Sequence, residues 1–392
     1  MFQIRTYNKI SDKGLSRFDK SDYRVGEDVG QPEALVLRSH KLHNETLPES
    51  VLAVARAGAG VNNVPVDEYT EKGIVVFNTP GANANAVKEL VLAGMLLSSR
   101  GILEGREYVG TLADMSDPAE MSKLLEKEKK RFAGSELAGK SLGIVGLGAI
   151  GSMVAEAALN MGMDVKGFDP ALSVDAAWRL PSDVQRMESL QALLSDVDYL
   201  SLHVPAIDAT KNMINAETLK FMKPSAAIMN FARDAIVDQA AVVNALESGG
   251  LRQYVCDFPE PCLINHPKVV ALPHIGASTA EAEENCAVMA VNQLKDYLEN
   301  GNIVNSVNFP QAVMARASNG CRITFTNENV AGVLGQVLSI FADNNVNVVD
   351  MINKSRNNVA YTILDFAEKP ASEVIEALKK AEHVSSVRVL CS

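Results

Sequence analysis

An α/β fold with parallel sheets, closed by a small C-terminal module, is what the sequence predicts, and three observations predict it. Short apolar runs alternate with helix-like or polar stretches up to about residue 300, as strands and their crossovers do. A glycine-rich turn at 146–151 lies between one such run and an amphipathic helix. The last seventy or so residues change to strand, helix, two strands, helix and strand, the order of a ferredoxin-like module.

The N-terminal part carries the runs ALVLRS (34–39), VLAVARAG (51–58) and GIVVFNTP (73–80), then a helical spacing from Ala86 to about Arg100. The charged stretch 121–131 reads as a solvated helix or linker. From Lys140 onward six runs (SLGIVG, DVKGFD, VDYLSLHVP, AAIMNFAR, YVCDF, VVALPH) suit a doubly wound, Rossmann-like sheet. An amphipathic helix after Thr279 ends at the capping glycine Gly301 and could lead the chain back to the first domain. The C-terminal module follows with a strand at 322–326, a helix, two strands around Asn357 and Asn358, a helix from Ser372 and a last strand at 386–390.

At 392 residues the chain exceeds one ordinary core, so two or three domains are expected. Hydrophobic residues at 47% and charged residues at 22% describe a soluble globular protein. No apolar run is long enough to span a membrane and the start MFQIRTYNKI does not read as a signal peptide, so a cytoplasmic location is expected. The net charge of -11 argues against nucleic acid as a partner, and an anionic substrate would need a local basic pocket. Five cysteines without a Cys-x-x-Cys pair or a histidine at zinc spacing predict reduced thiols, no disulfide and no metal.

Gly146-Leu147-Gly148-Ala149-Ile150-Gly151 has the context that a lone glycine pattern lacks, because a strand precedes it and a helix follows. The first glycine permits the turn, the second lets a pyrophosphate approach the backbone, and the third lets helix and strand pack. Asp169 ends the next strand and would accept hydrogen bonds from both ribose hydroxyls while repelling a 2′-phosphate, which favours NAD over NADP. The alternative is a structural glycine turn with a solvent-facing aspartate.

Three later strands each deliver a reactive side chain to the same edge: Arg233, Glu260 and His274. His274 can move a hydroxyl proton near neutral pH, Glu260 would orient the imidazole, and Arg233 can grip a carboxylate bidentately. Taken singly each reads as a surface or loop residue; the coincidence of all three points to hydride-transfer chemistry.

The stretches GKSLGIVGLGAIG, SLHVP, MNFARDAIVD and PHIGAST resemble the signature blocks of D-isomer-specific 2-hydroxyacid dehydrogenases, over nearly the whole chain. The resemblance implies a Rossmann-like NAD domain (93–282) inserted in a discontinuous, flavodoxin-like substrate domain (1–92 and 283–312), followed by a ferredoxin-like ACT regulatory domain (320–392). It makes Arg233, Glu260 and His274 catalytic. It assigns the cofactor to Gly146, Gly148, Ala149, Ile150, Gly151, Asp169, His203, Val204, Pro205, Phe231, Ala232, Arg233, Asp257, His274 and Gly276, with Asp257 on the nicotinamide amide. The chain departs from the family at Cys256-Asp257-Phe258-Pro259-Glu260-Pro261, where the loop before the Glu-Pro pair is shorter.

The block ARAGAGVNNVPVD and the following NTPGANANAVKEL resemble the branch that oxidises 3-phosphoglycerate to 3-phosphohydroxypyruvate at the head of serine biosynthesis. That implies Arg56 for the substrate phosphate, with Gly58, Ala59 and Asn83 lining the site beside Arg233 and His274; Arg38 and Lys41 are weaker basic candidates, and Asn62 replaces an aspartate common in the family. A rival role for Arg56 is an ion pair within its own domain. The ACT-like tail implies an amino-acid effector such as serine at Asn327, Asn329 and Asn347, although Asn327 stands where serine-sensitive relatives have histidine; a pure dimerisation module is the alternative. A homodimer or homotetramer is expected. Other readings are a glyoxylate, hydroxypyruvate or 2-oxoglutarate reductase, and a non-catalytic NAD-binding sensor.

Overall fold

Five short N-terminal runs form one parallel sheet in the order β2-β1-β3-β4-β5: β1 (Phe2–Thr6), β2 (Tyr23–Gly26), β3 (Ala34–Leu37), β4 (Ala53–Arg56) and β5 (Val75–Phe77). β3, β4 and β5 are buried throughout apart from Arg56, which is why they read as continuous apolar runs rather than as alternating ones. The first two strands, β1 and β2, escaped the sequence reading because FQIRT and YRVG mix charge with apolar residues. Phe18, Tyr23, Val36, Ala55 and Phe77 meet Cys286, Ala290, Leu294 and Tyr297 in one core cluster, so the helix Ala280–Asn300 does return to the first sheet.

A second sheet has the order β12-β11-β10-β9-β6-β7-β8, with all pairs parallel. Its strands are β6 (Ser141–Val145), β7 (Asp164–Phe168), β8 (Gln185–Arg186), β9 (Tyr199–Leu202), β10 (Ala227–Asn230), β11 (Gln253–Cys256) and β12 (Val269–Ala271). Six of these match the predicted runs; β8 has only two exposed residues and carries no apolar signal. The strand order reverses between β6 and β9, which fixes where a ligand can enter, beyond the carboxyl ends of those two strands. The helix Ala84–Ser99 packs Val87, Val91 and Met95 onto this sheet with Leu142, Ile144 and Val255.

In this computed structural model, which describes residues 1–316 and 320–391, the chain falls into two units, Met1–Asn83 with Ala280–Ser392, and Ala84–Thr279. The first break precedes residue 92 because the helix starting at Ala84 packs on the second sheet.

The C-terminal module groups with the first unit, and its predicted last residue, Ser392, lies outside the described residues. Its antiparallel sheet has the order β14-β15-β13-β16, from β13 (Cys321–Glu328), β14 (Asp350–Arg356), β15 (Val359–Phe366) and β16 (Val384–Cys391). Ile323, Phe325, Leu364 and Phe366 face the helices Val333–Asp343 and Ser372–Lys379, as the period of two requires. The opposite face is not left to solvent. Tyr361 and Ile363 join the first unit's core beside Phe309, Ala312 and Met314.

Side chains on that face also donate to carbonyls at the end of helix Ala280–Asn300, where intrahelical donors run out. Arg388 donates to Tyr297 O at 3.1 Å and Leu298 O at 3.0 Å, Arg322 to Asn300 O at 2.9 Å, and the Tyr361 hydroxyl to Gly301 O at 2.7 Å. Guanidinium groups suit a helix C-terminus because the helix dipole is negative there.

The expectation of five reduced thiols is corrected here. Cys321 and Cys391 face each other across β13 and β16 and form a disulfide, whereas Cys256, Cys262 and Cys286 are free. The pair is 70 residues apart and is brought together by strand register, which no spacing rule reports.

Candidate active site and cofactor site

The turn after β6 is built as its three glycines require. Gly146 has φ +90°, in the region that favours glycine, and a side chain there would strike the backbone of His203. A side chain on Gly151 would strike Gly146 O, so helix and strand could not close up. Nothing stands within 4 Å of the place a Gly148 side chain would fill. Gly148 is also the N-cap of the twelve-residue helix Ala149–Asn160, has no side-chain cap, and is followed by a first turn without acids. Open backbone N–H groups, a positive helix end and room for a phosphate against the main chain make a cradle that fits the pyrophosphate of a dinucleotide.

Asp169 follows β7 and ties the turn in place. Its carboxylate accepts from Leu147 N and Ala171 N, both at 2.9 Å, which leaves a lone pair on each oxygen for ribose hydroxyls. Across the switch point His203 N donates to Val145 O at 2.7 Å, and the His203 ring shares a 2.8 Å hydrogen bond with the Ser201 hydroxyl. Val204 lies against Gly146, and Pro205 O accepts from the Thr210 hydroxyl.

Burial pushes the His203 imidazole down from 6.5 to about 4. Between those values the unfolded chain binds a proton that the folded chain does not, so stability is lost as pH falls from 6.5 toward 4. Replacing His203 by glutamine flattens that part of the curve, measured as urea midpoint against pH; an unchanged slope would count against a neutral ring.

Three neighbouring parallel strands, β10, β11 and β12, end at the same edge of the sheet. Arg233 follows β10 and is exposed, with its guanidinium donating to Ala232 O at 2.6 Å. The Asn230 side chain holds this turn through Arg233 O, Ala232 N and the Tyr254 hydroxyl. Phe231 is buried beneath it.

Asp257, buried at the end of β11, shapes the loop that carries His274: it accepts from Ile275 N at 2.8 Å and Gly276 N at 2.7 Å through its carboxylate, and from His274 N through its carbonyl. Two such hydrogen bonds to a buried carboxylate are strong ones. The sequence reading gave Asp257 only to the nicotinamide amide and missed this role. His274 has φ +57°, a conformation uncommon outside glycine, and its ring is exposed.

Phe258 was also missed. Its ring centroid lies 4.4 Å from that of His274 and 5.3 Å from the Arg233 guanidinium carbon, so one aromatic side chain touches both reactive groups. Glu260 is exposed two residues on. The hydrogen bonds and ion pairs among the described residues include none between Glu260 and His274. The reason is local: Gln239, buried on the helix Gln239–Glu247, donates to Phe258 O at 3.0 Å and accepts from Glu260 N at 2.8 Å, pinning both ends of the short loop.

In the first unit, β3, β4 and β5 likewise end at a common edge. Arg56 closes β4, donates through Nε to Arg38 O at 3.1 Å and folds over Gly58, whose φ of +156° and missing side chain leave room for the guanidinium. Asn78 donates to Ala59 O, and Asn83 sits just before the helix Ala84–Ser99. Arg38 is paired with Glu283 at 2.6 Å, which weakens its claim to a phosphate, and Lys41 and Asn62 are exposed.

In the C-terminal module Asn327 is buried and donates to Glu328 O, while Asn329 donates to Asn357 O; Asn347 is exposed. Among the described residues no cluster of three or more His, Cys, Asp or Glu could hold a metal, and no helix is long and apolar enough to cross a membrane.

Comparison with known proteins agrees with this geometry. Residues 95–276 match the D-isomer specific 2-hydroxyacid dehydrogenase NAD binding domain, and residues 322–383 the ACT domain. The chain is 32% identical to the D-3-phosphoglycerate dehydrogenase of Haemophilus influenzae, over 87% of this chain and 81% of that one. It is 32% identical to the enzyme of that name from Escherichia coli K12, over 94% and 89%. A third relative, from Bacillus subtilis, is 33% identical over 79% of this chain, which spans 59% of that longer protein. The NAD-bound 3-phosphoglycerate dehydrogenase of Entamoeba histolytica shares the fold, with a TM-score of 0.59 and 24% identity over 78% of this chain and 98% of that one. The chain belongs to the D-isomer specific 2-hydroxyacid dehydrogenases, and within them to the D-3-phosphoglycerate dehydrogenases.

Proposed function

We propose that the chain oxidises 3-phospho-D-glycerate to 3-phosphohydroxypyruvate with NAD, the first step of the phosphorylated route to serine. The observation that carries this is the joining, in one chain, of a dinucleotide cradle closed by Asp169 with an Arg233–Phe258–His274 cluster on the strand ends next to it. Gly146, Gly148, Ala149, Ile150 and Gly151 would hold the pyrophosphate, Asp169 the ribose, and the segments around His203–Pro205, Phe231–Arg233, Asp257 and Gly276 the nicotinamide end. NAD, when bound, accepts the hydride.

The rest is the work of the chain's own groups. Arg233 grips the carboxylate and polarises the C2 oxygen. His274 takes the hydroxyl proton while the O–H electrons form the C2 carbonyl and the C2–H pair leaves as hydride. Glu260 is assigned the support of the imidazole as it takes the proton. Arg56 is assigned the phosphate, with Gly58, Ala59 and Asn83 lining its site.

Replacing Arg56 by glutamine is expected to raise the KM for the phosphorylated acid at least tenfold, since a charged hydrogen bond to phosphate is roughly worth that much, and to leave the KM for hydroxypyruvate alone. Equal effects on both acids would remove Arg56 from phosphate binding. The ACT domain supports serine as an effector near Asn327, Asn329 and Asn347, in a homodimer or homotetramer; titration calorimetry without heat on adding serine would dismiss it. A cytoplasmic setting goes with a reaction that uses NAD and a phosphorylated three-carbon acid.

A further inference from the structure

The shortened loop after β11 puts an aromatic ring where His274 and Arg233 both meet it, and holds Glu260 by its backbone with its side chain exposed. We propose that Phe258 is the positioning residue of this site, orienting the His274 imidazole and the Arg233 guanidinium together, and that Gln239 fixes Phe258 for the task. The proposal rests on the dehydrogenase reading above and adds a residue to it.

The physical case has three parts. An aromatic face attracts a guanidinium or a protonated imidazole, and at 5.3 Å the Arg233 carbon is inside the range of that attraction. The two rings stand at 47°, a tilted arrangement with centroids 4.4 Å apart, which restricts rotation of an imidazole that is otherwise exposed. The backbone that carries the ring is held, because Phe258 O and Glu260 N are both tied to the buried Gln239 side chain, with the rigid Pro259 between them. A protonated His274 and Arg233 would otherwise repel each other, and a shared π-face serves both charges without adding a third ion.

The test compares wild type with Phe258→Leu and Phe258→Tyr. Leucine keeps bulk and loses the π-face; tyrosine keeps the ring. Phe258→Leu is expected to lower kcat about 10- to 100-fold, the scale of a small misplacement of reacting groups, with the Kd for NADH unchanged, and Phe258→Tyr is expected to restore most of it. A second readout does not depend on turnover. The His274 ring protons, assigned by their loss in His274→Ala, sit in the ring current of Phe258, so in the leucine variant they shift while the other five histidines stay in place. A kcat within twofold of wild type together with unmoved His274 resonances would overturn the proposal. Moved resonances in a protein that turns over none of the 2-oxo acids would uphold the positioning and reject the dehydrogenase reading instead.

Discussion

Replacing His274 by alanine lowers kcat for 2-oxo acid reduction about 10²- to 10⁴-fold, with NADH binding kept, because a positioned general acid contributes on that scale. The structure gives reasons to expect a clean effect. The imidazole is exposed, so its loss opens no cavity in the core. The loop around it is held by main-chain hydrogen bonds to Asp257, which alanine leaves in place. The backbone at His274 sits at φ +57°, a strain of roughly 1 kcal/mol that histidine already bears through its Cβ and that alanine keeps, so the unfolding midpoint measured beside the rate is expected to change little. A fall in kcat below tenfold would mean that another group moves the proton.

The second large effect is on stability. Arg322 is 1% exposed and forms a two-pronged pair with Asp365, at 2.7 Å from both Nε and Nη2, while the same guanidinium donates to Asn300 O, Met314 O and Ala315 O. Replacing it by methionine leaves a buried carboxylate and three carbonyls without their donor, an expected loss of about 3–5 kcal/mol. Replacing Asp365 by leucine in the same chain removes the orphaned charge and should return part of that loss, so the two changes are far from additive. Urea unfolding of the single and double variants decides it: a single-variant loss under about 1 kcal/mol would mean that water replaces the guanidinium at little cost.

The sequence made the second sheet legible because its inner strands are buried on both faces and read as unbroken apolar runs, with the glycine turn marking where they begin. Order of strands then put Arg233 and His274 on one edge. What stayed hidden were interactions set by tertiary register. Phe258 stood in plain view in the Cys-Asp-Phe-Pro-Glu-Pro block, but its contact with two side chains from neighbouring strands depends on how the short loop is tied by Gln239, some twenty residues earlier. The Cys321–Cys391 bond depends on the first and last strands of the C-terminal module lying side by side. The docking of that module's second face was hidden for a similar reason: Arg322, Tyr361 and Arg388 alternate with core residues, as solvent-facing positions would, and only their partners at Tyr297–Gly301 show otherwise.

The most direct test of the central claim is NADH oxidation by the full chain with 3-phosphohydroxypyruvate, set beside hydroxypyruvate, glyoxylate and 2-oxoglutarate. The account predicts a kcat/KM for the phosphorylated acid at least tenfold above each of the others, the discrimination that a charged phosphate contact supplies. Equal or better turnover of an unphosphorylated acid would leave the fold and the cofactor site standing and contradict the assignment of 3-phosphoglycerate as substrate.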